Sequence, residues 1–91
     1  MSKTLDAKGL LCPEPVLRAH VAMKDVPPGE TLTVLATDPA AILDFPYYCH
    51  KAGLELLSTT KQPGLLVFEI LKPHGYRRKA DRYTSDDPYD P

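Results

Sequence analysis

Apolar and polar residues alternate near the start of this chain, give way to a helical spacing, alternate again, and repeat the cycle before two final alternating runs. Leu5 and Ala7 share one face of a short extended run, Thr4–Ala7. From Glu14 to about Val26, apolar residues fall at Val16, Ala19, Met23 and Val26. That spacing predicts a helix with one covered face. Leu17 and Val21 fall off the stripe, so the helix is either covered on a second side or exposes a small apolar patch. Pro27-Pro28-Gly29 ends it in a turn. Thr31–Thr37 then alternates as a strand, with Leu32, Val34 and Ala36 facing inward. Asp38-Pro39 is a helix start, a capping carboxylate followed by a proline suited to the first turn. Pro46 falls inside the second helix and predicts a kink or two short helices, with Asp44 capping the second. Gly53 is a suitable stop. Leu54–Thr60 and Leu65–Lys72 read as strands joined by the turn Gln62-Pro63-Gly64, which suits type II. Leu66, Phe68 and Ile70 share the inner face of the last one.

The order is strand, helix, strand, helix, strand, strand. Right-handed crossovers place both helices on one face of a mixed four-stranded sheet. The expected fold is therefore α+β, a two-layer α/β sandwich, over residues 1–72. The tail from Pro73 to Pro91 has few aliphatic residues, mixed charge and three tyrosines, and reads as disordered. A solvated extension is its plainest reading, with RNA stacking or partner docking as the alternative.

Composition narrows the function. With 91 residues there is room for one small domain. A formal net charge of −1 gives no bulk attraction to nucleic acid or membrane. No apolar run approaches the ~20 residues of a membrane span, and the N-terminus lacks the apolar core of a signal peptide. The cytoplasm is the expected compartment, where two cysteines are kept reduced. The cysteines and histidines show no metal-ligand spacing, so no metal is expected.

The candidate chemistry lies in Gly9-Leu10-Leu11-Cys12-Pro13-Glu14-Pro15. Gly9 can turn the chain cheaply. Pro13 is suited to the first helical turn, and Pro15 remains within it. Cys12 then lies at or next to the cap of the first helix. The helix N-terminus carries about half a positive charge. That predicts a thiol pKa below the ~8.5 of a free cysteine. Glu14 would oppose the thiolate if it pointed inward, and is expected to face solvent. Cys49 reads either as a second thiol that relays sulfur or as a helix residue packed on the sheet; packing is the simpler account. His20 is roughly two helical turns from Cys12, too far for a general base. His50 and His74 read as surface residues. No second catalytic element is visible, which argues against a self-contained enzyme.

The Gly9–Pro15 run resembles the CPxP signature of the TusA/SirA-like sulfur carriers. Leu5-Asp6-Ala7, Pro28-Gly29-Glu30, Asp38-Pro39-Ala40 and Phe45-Pro46 followed by Cys49 match the same pattern in register, over Lys3–Lys72. The resemblance implies the same sandwich fold and a cytoplasmic carrier that needs no cofactor. Cys12 would accept a persulfide sulfur from a cysteine desulfurase or rhodanese-like donor and pass it to a DsrE/TusD-like acceptor protein. Gly9, Pro13, Glu14 and Pro15 would shape the loop, and the carrier would be a monomer on its own. Family members serve tRNA 2-thiouridine synthesis, molybdenum cofactor and iron–sulfur supply, or sulfur oxidation; the core motifs most resemble the tRNA branch. Two other classes remain open: a regulatory or RNA-binding module, and a redox switch between Cys12 and Cys49.

Overall fold

A computed structural model describes residues 3–74. The elements are β1 (Lys3–Ala7), α1 (Glu14–Met23), β2 (Thr31–Ala36), α2 (Ala41–Ala52), β3 (Glu55–Gln62) and β4 (Leu65–Leu71). The sheet order is β1-β2-β4-β3. β1 runs parallel to β2, and β4 is antiparallel to both β2 and β3. The expected α+β sandwich with a mixed four-stranded sheet is the fold observed. The tail from residue 75 onward, expected to be disordered, lies outside the described residues.

The helices and sheet meet in one core. Val16, Ala19, Met23 and Val26 are all buried, as their spacing predicts. They face Ala7, Leu32, Val34, Ala36, Phe68 and Ile70 from the sheet, and Ala41, Phe45, Tyr48, Cys49 and Ala52 from α2. Phe45 and Phe68 stack with ring centroids 4.5 Å apart and planes 24° apart, tying α2 to the central strand β4. Of the two residues off the first stripe, Leu17 packs against this core, while Val21 is 55% exposed.

The element ends differ from expectation in three places. The first helix stops at Met23 rather than near Val26. Lys24, Asp25 and Val26 instead donate to Val21, Ala22 and Met23, closing tighter three-residue turns. The Lys72 ammonium then donates to the carbonyls of Met23 (3.1 Å) and Val26 (2.8 Å). It thereby adds a donor to the carbonyls at the helix end from the residue that follows β4. Second, α2 is one continuous helix, with Pro46 inside it. Pro46 is exposed, so the break it makes in the hydrogen-bond ladder lies on the solvent side. The buried stripe Ala41-Phe45-Tyr48-Cys49-Ala52 holds both halves in line on the sheet. Asp44 consequently caps nothing. Third, β3 runs Glu55–Gln62, later than expected, with a register shift between Leu56 and Ser58 that leaves Leu57 half exposed. Gly53 at φ 76° and Gly64 at φ 68° adopt the left-handed conformations their places require.

Phe68→Ala removes a fully buried ring from the central strand. It should cost about 3–5 kcal/mol, a large part of the ~5–15 kcal/mol that holds a small domain together. Urea denaturation followed by far-UV circular dichroism should show a far lower midpoint, or no folded baseline.

Candidate functional site

β1 and β2 are parallel and end level, Ala7 opposite Ala36. The strand-to-helix loops that follow them therefore emerge side by side. Gly9, at φ 82°, turns the first loop, and the Leu10 N–H donates to the Ala7 carbonyl at 3.3 Å. The Gly9 N–H donates to the Thr37 hydroxyl of the second loop at 2.9 Å. Two residues later the Cys12 N–H donates to Asp38 Oδ2 at 2.8 Å. The same carboxylate accepts from the Ala40 N–H through Oδ1 at 3.0 Å, inside the turn that leads into α2. Asp38 does not cap α2 as expected, because the helix starts later, with Ala40 as its N-cap and no side-chain cap hydrogen bond. Its carboxylate instead closes the turn before the helix and clamps the two loops.

Pro13 occupies the N-cap position of α1, and the helix proper begins at Glu14, as expected. The Cys12–Pro13 peptide is cis. Pro15 is buried in the first turn. Cys12 directly precedes the cap and is half-buried. Glu14 points outward, where it pairs with Arg18 at 3.2 Å, as expected for a side chain directed to solvent.

The electrostatics of Cys12 depart from expectation. Its thiol is pushed up to about 12, above an ordinary value of 9.0. Desolvation is the first cause; hydrogen bonding to Asp44, the Asp44 charge and the Asp38 charge follow. The expected fall below a free cysteine does not occur, for a physical reason. A helix N-terminus offers about half an elementary charge, whereas Asp38 and Asp44 bring two full ones of the opposite sign. The donors are also few. Pro13 and Pro15 have no N–H, the Glu14 N–H is taken by the Leu11 carbonyl at 2.9 Å, and the Cys12 N–H is taken by Asp38. The hydrogen bonds from Cys12 and Ala40 in turn hold Asp38 below the usual carboxylate range.

Other candidates fall elsewhere. Cys49 is 2% exposed in the face of α2 packed on the sheet, and burial pushes its thiol up to about 12. His20 Nδ1 lies 3.1 Å from the Tyr48 hydroxyl, with the rings edge-to-face. His50 and His74 are exposed. Among the described residues no three His, Cys, Asp or Glu side chains gather where they could hold a metal ion. No described helix is long and apolar enough to cross a membrane. The site residues the sequence reading missed are Asp38 and Asp44, both taken for helix caps alone. The signal was present: a parallel first strand pair must bring the second strand-to-helix loop beside the first.

Fold and loop together define a small α+β domain with one half-exposed cysteine on a clamped loop ahead of its first helix. The model of the family "Sulfurtransferase TusA" matches residues 3–72. The "Sulfur carrier protein TusA" of Pseudomonas fluorescens is 45% identical over 69 residues, covering 76% of this chain and 83% of that one. That of Pseudomonas aeruginosa strain LESB58 is 42% identical over 77 residues, covering 85% and 90%. That of Pseudomonas syringae is 43% identical over 68 residues, covering 75% and 81%. The chain belongs to the TusA family of sulfur carriers.

Because the folded site favours the neutral thiol, alkylation of Cys12 by iodoacetamide should keep accelerating between pH 9 and pH 12 rather than levelling near 9. Asp44→Asn removes both an acceptor and a charge, so its profile should shift to lower pH. Mass-resolved alkylation rates across that range measure both effects.

Proposed function

We propose that Cys12 carries the sulfur, as a persulfide exchanged between protein partners. The donor is a cysteine desulfurase or rhodanese-like protein, and the acceptor is DsrE/TusD-like. Thiouridine synthesis in tRNA is the first destination to test. The single observation behind this reading is the position of Cys12: half-exposed on a short clamped loop ahead of α1, in the CPxP run of a chain that belongs to this family.

The exchange balances without a cofactor. The Cys12 thiol gives its proton to solvent, and the thiolate attacks the outer sulfur of the donor persulfide. A new S–S bond forms at Cys12, the donor S–S bond breaks, and the donor leaves as a thiolate. An acceptor thiolate then repeats the step on the outer sulfur of Cys12 and releases the Cys12 thiolate. A persulfide is a stronger acid than the thiol it replaces, so loading brings an anion onto the loop clamped by Asp38. Repulsion from that carboxylate favours passing the sulfur on.

The RNA-binding reading has less support. The outward residues of β2 and β4 are Thr31, Thr33 and Leu35, and Leu65, Val67, Glu69 and Leu71, with Thr33 donating to Glu69 at 2.8 Å. None offers a ring on which a base could stack.

Incubation with a cysteine desulfurase and cysteine should add one sulfur atom, visible by mass spectrometry. Cys12→Ser should abolish the gain and Cys49→Ser should keep it. The converse pattern would move the carrier role to Cys49.

A further inference from the structure

We propose that residues 76–83 of this same chain cover the outer face of the sheet, the face turned away from α1 and α2. This cover does not depend on the role of Cys12.

Three observations support it. The first is the pattern of β4. Its sequence, Leu65-Leu66-Val67-Phe68-Glu69-Ile70-Leu71, is apolar in both phases except at Glu69. A strand with one face in water alternates, whereas a continuous apolar run belongs to a strand covered on both faces. Leu66, Phe68 and Ile70 lie in the core with the helices. Leu65, Val67 and Leu71 point the other way, and Leu35 of β2 widens their row as the register partner of Val67. These four are only partly buried and lie outside the core cluster, so no described element covers them.

The second is charge. By register Asp6 partners Leu35, Glu55 partners Leu71 and Glu69 partners Ser58, so all three carboxylates share the outer face. The strand lysines lie elsewhere: Lys3 and Lys61 partner the inward Leu32 and Leu66. Asp6 is held by Lys8, but no described cation pairs with Glu55 or Glu69. The uncovered face is therefore apolar and acidic.

The third is the chain that leaves this face. β4 ends at Leu71, and the sequence continues past His74 into Tyr76-Arg77-Arg78-Lys79-Ala80-Asp81-Arg82-Tyr83. Tyr76, Ala80 and Tyr83 follow helical spacing, which gives one apolar face with Lys79 at its edge. Four cations and one carboxylate make the segment the electrostatic complement of the sheet face. Its length also fits. Residues 76–83 as a helix span about 12 Å, close to the roughly 13 Å from Leu71 back to Val67. The link 73–75 adds about 10 Å, enough to double back. A helix this short is marginal in water, so docking and helix formation go together. The tether makes the contact intramolecular, and a weak contact is then well populated.

The test uses the full chain and carbodiimide coupling, which joins an amine to a carboxylate, with loss of water, where the two touch. Lys79 is the one lysine beyond His74. Its amide yields with Glu55 and Glu69 are read by peptide mass spectrometry, each normalised to the same carboxylate's coupling with added glycinamide. Glu30, whose carbonyl accepts from the Lys72 N–H at 3.0 Å, is the reference beside the root of the tether. The expected result is an excess of about five-fold or more for the face carboxylates over Glu30, falling as salt is added. Tyr76→Ser/Tyr83→Ser changes only residues beyond the sheet and helices described. It should cut that excess by about three-fold or more. It should also move the methyl resonances of Leu35, Val67 and Leu71 by removing ring currents, while those of Val21 on α1 stay in place. Mixing 14N- and 15N-labelled chains separates coupling within a chain from coupling between copies. Coupling found only between copies would put a second molecule on the face and overturn the proposal. Yields no higher than at Glu30, or sheet-face methyls unmoved in the tyrosine variant, would overturn it too and leave the face to a different partner.

Discussion

The parallel pairing of β1 with β2 is the constraint on which the rest depends. Parallel neighbours need a crossover, and a right-handed crossover puts the connecting helix on one face of the sheet. Here α1 fills that role, and its buried stripe matches the inner faces of the strands it joins. The same pairing brings the ends of β1 and β2 level, so the two loops that follow share one edge of the sheet. Thr37 and Asp38 of the second loop then serve the amides of Gly9 and Cys12 in the first. The Cys12 loop is thus held by backbone hydrogen bonds to side chains of the next strand-to-helix loop as well as by turns of its own.

The core was legible because it depends on period alone. Alternation identified Leu32, Val34 and Ala36, as well as Leu66, Phe68 and Ile70. Three-and-four spacing identified Val16, Ala19, Met23 and Val26. All are buried. Glycine turns were legible for a similar local reason. Where the reading went astray, a contact distant in sequence decided the matter. Lys72 reaches back to the end of α1, 49 residues from Met23. The apolar stripe of α2, laid on the sheet, outweighed the local effect of Pro46. At Pro46 local rules pointed to a break, and tertiary burial overrode them.

The site was legible in place but not in charge. Gly9, Pro13 and Pro15 located the loop and put Cys12 ahead of a helix, where it is found. The inference from helix terminus to acidic thiol failed because it counted one source of potential. The prolines that help start the helix also remove N–H donors from its first turn. The donor Cys12 itself supplies is spent on Asp38. Two carboxylates 26 and 32 residues downstream in sequence complete the environment, and no local pattern connects them to the thiol.

A resting thiol held neutral is not a defect in a carrier. An exposed thiolate is the form that oxidises and reacts indiscriminately. A carrier that meets its partners only briefly spends most of its time without one. On the proposed reading, the two aspartates keep Cys12 quiet during that time, and Asp38 destabilises the persulfide once it is loaded. Helix-terminus activation alone would do the opposite at both stages: it would expose a reactive anion at rest and hold the loaded sulfur more tightly.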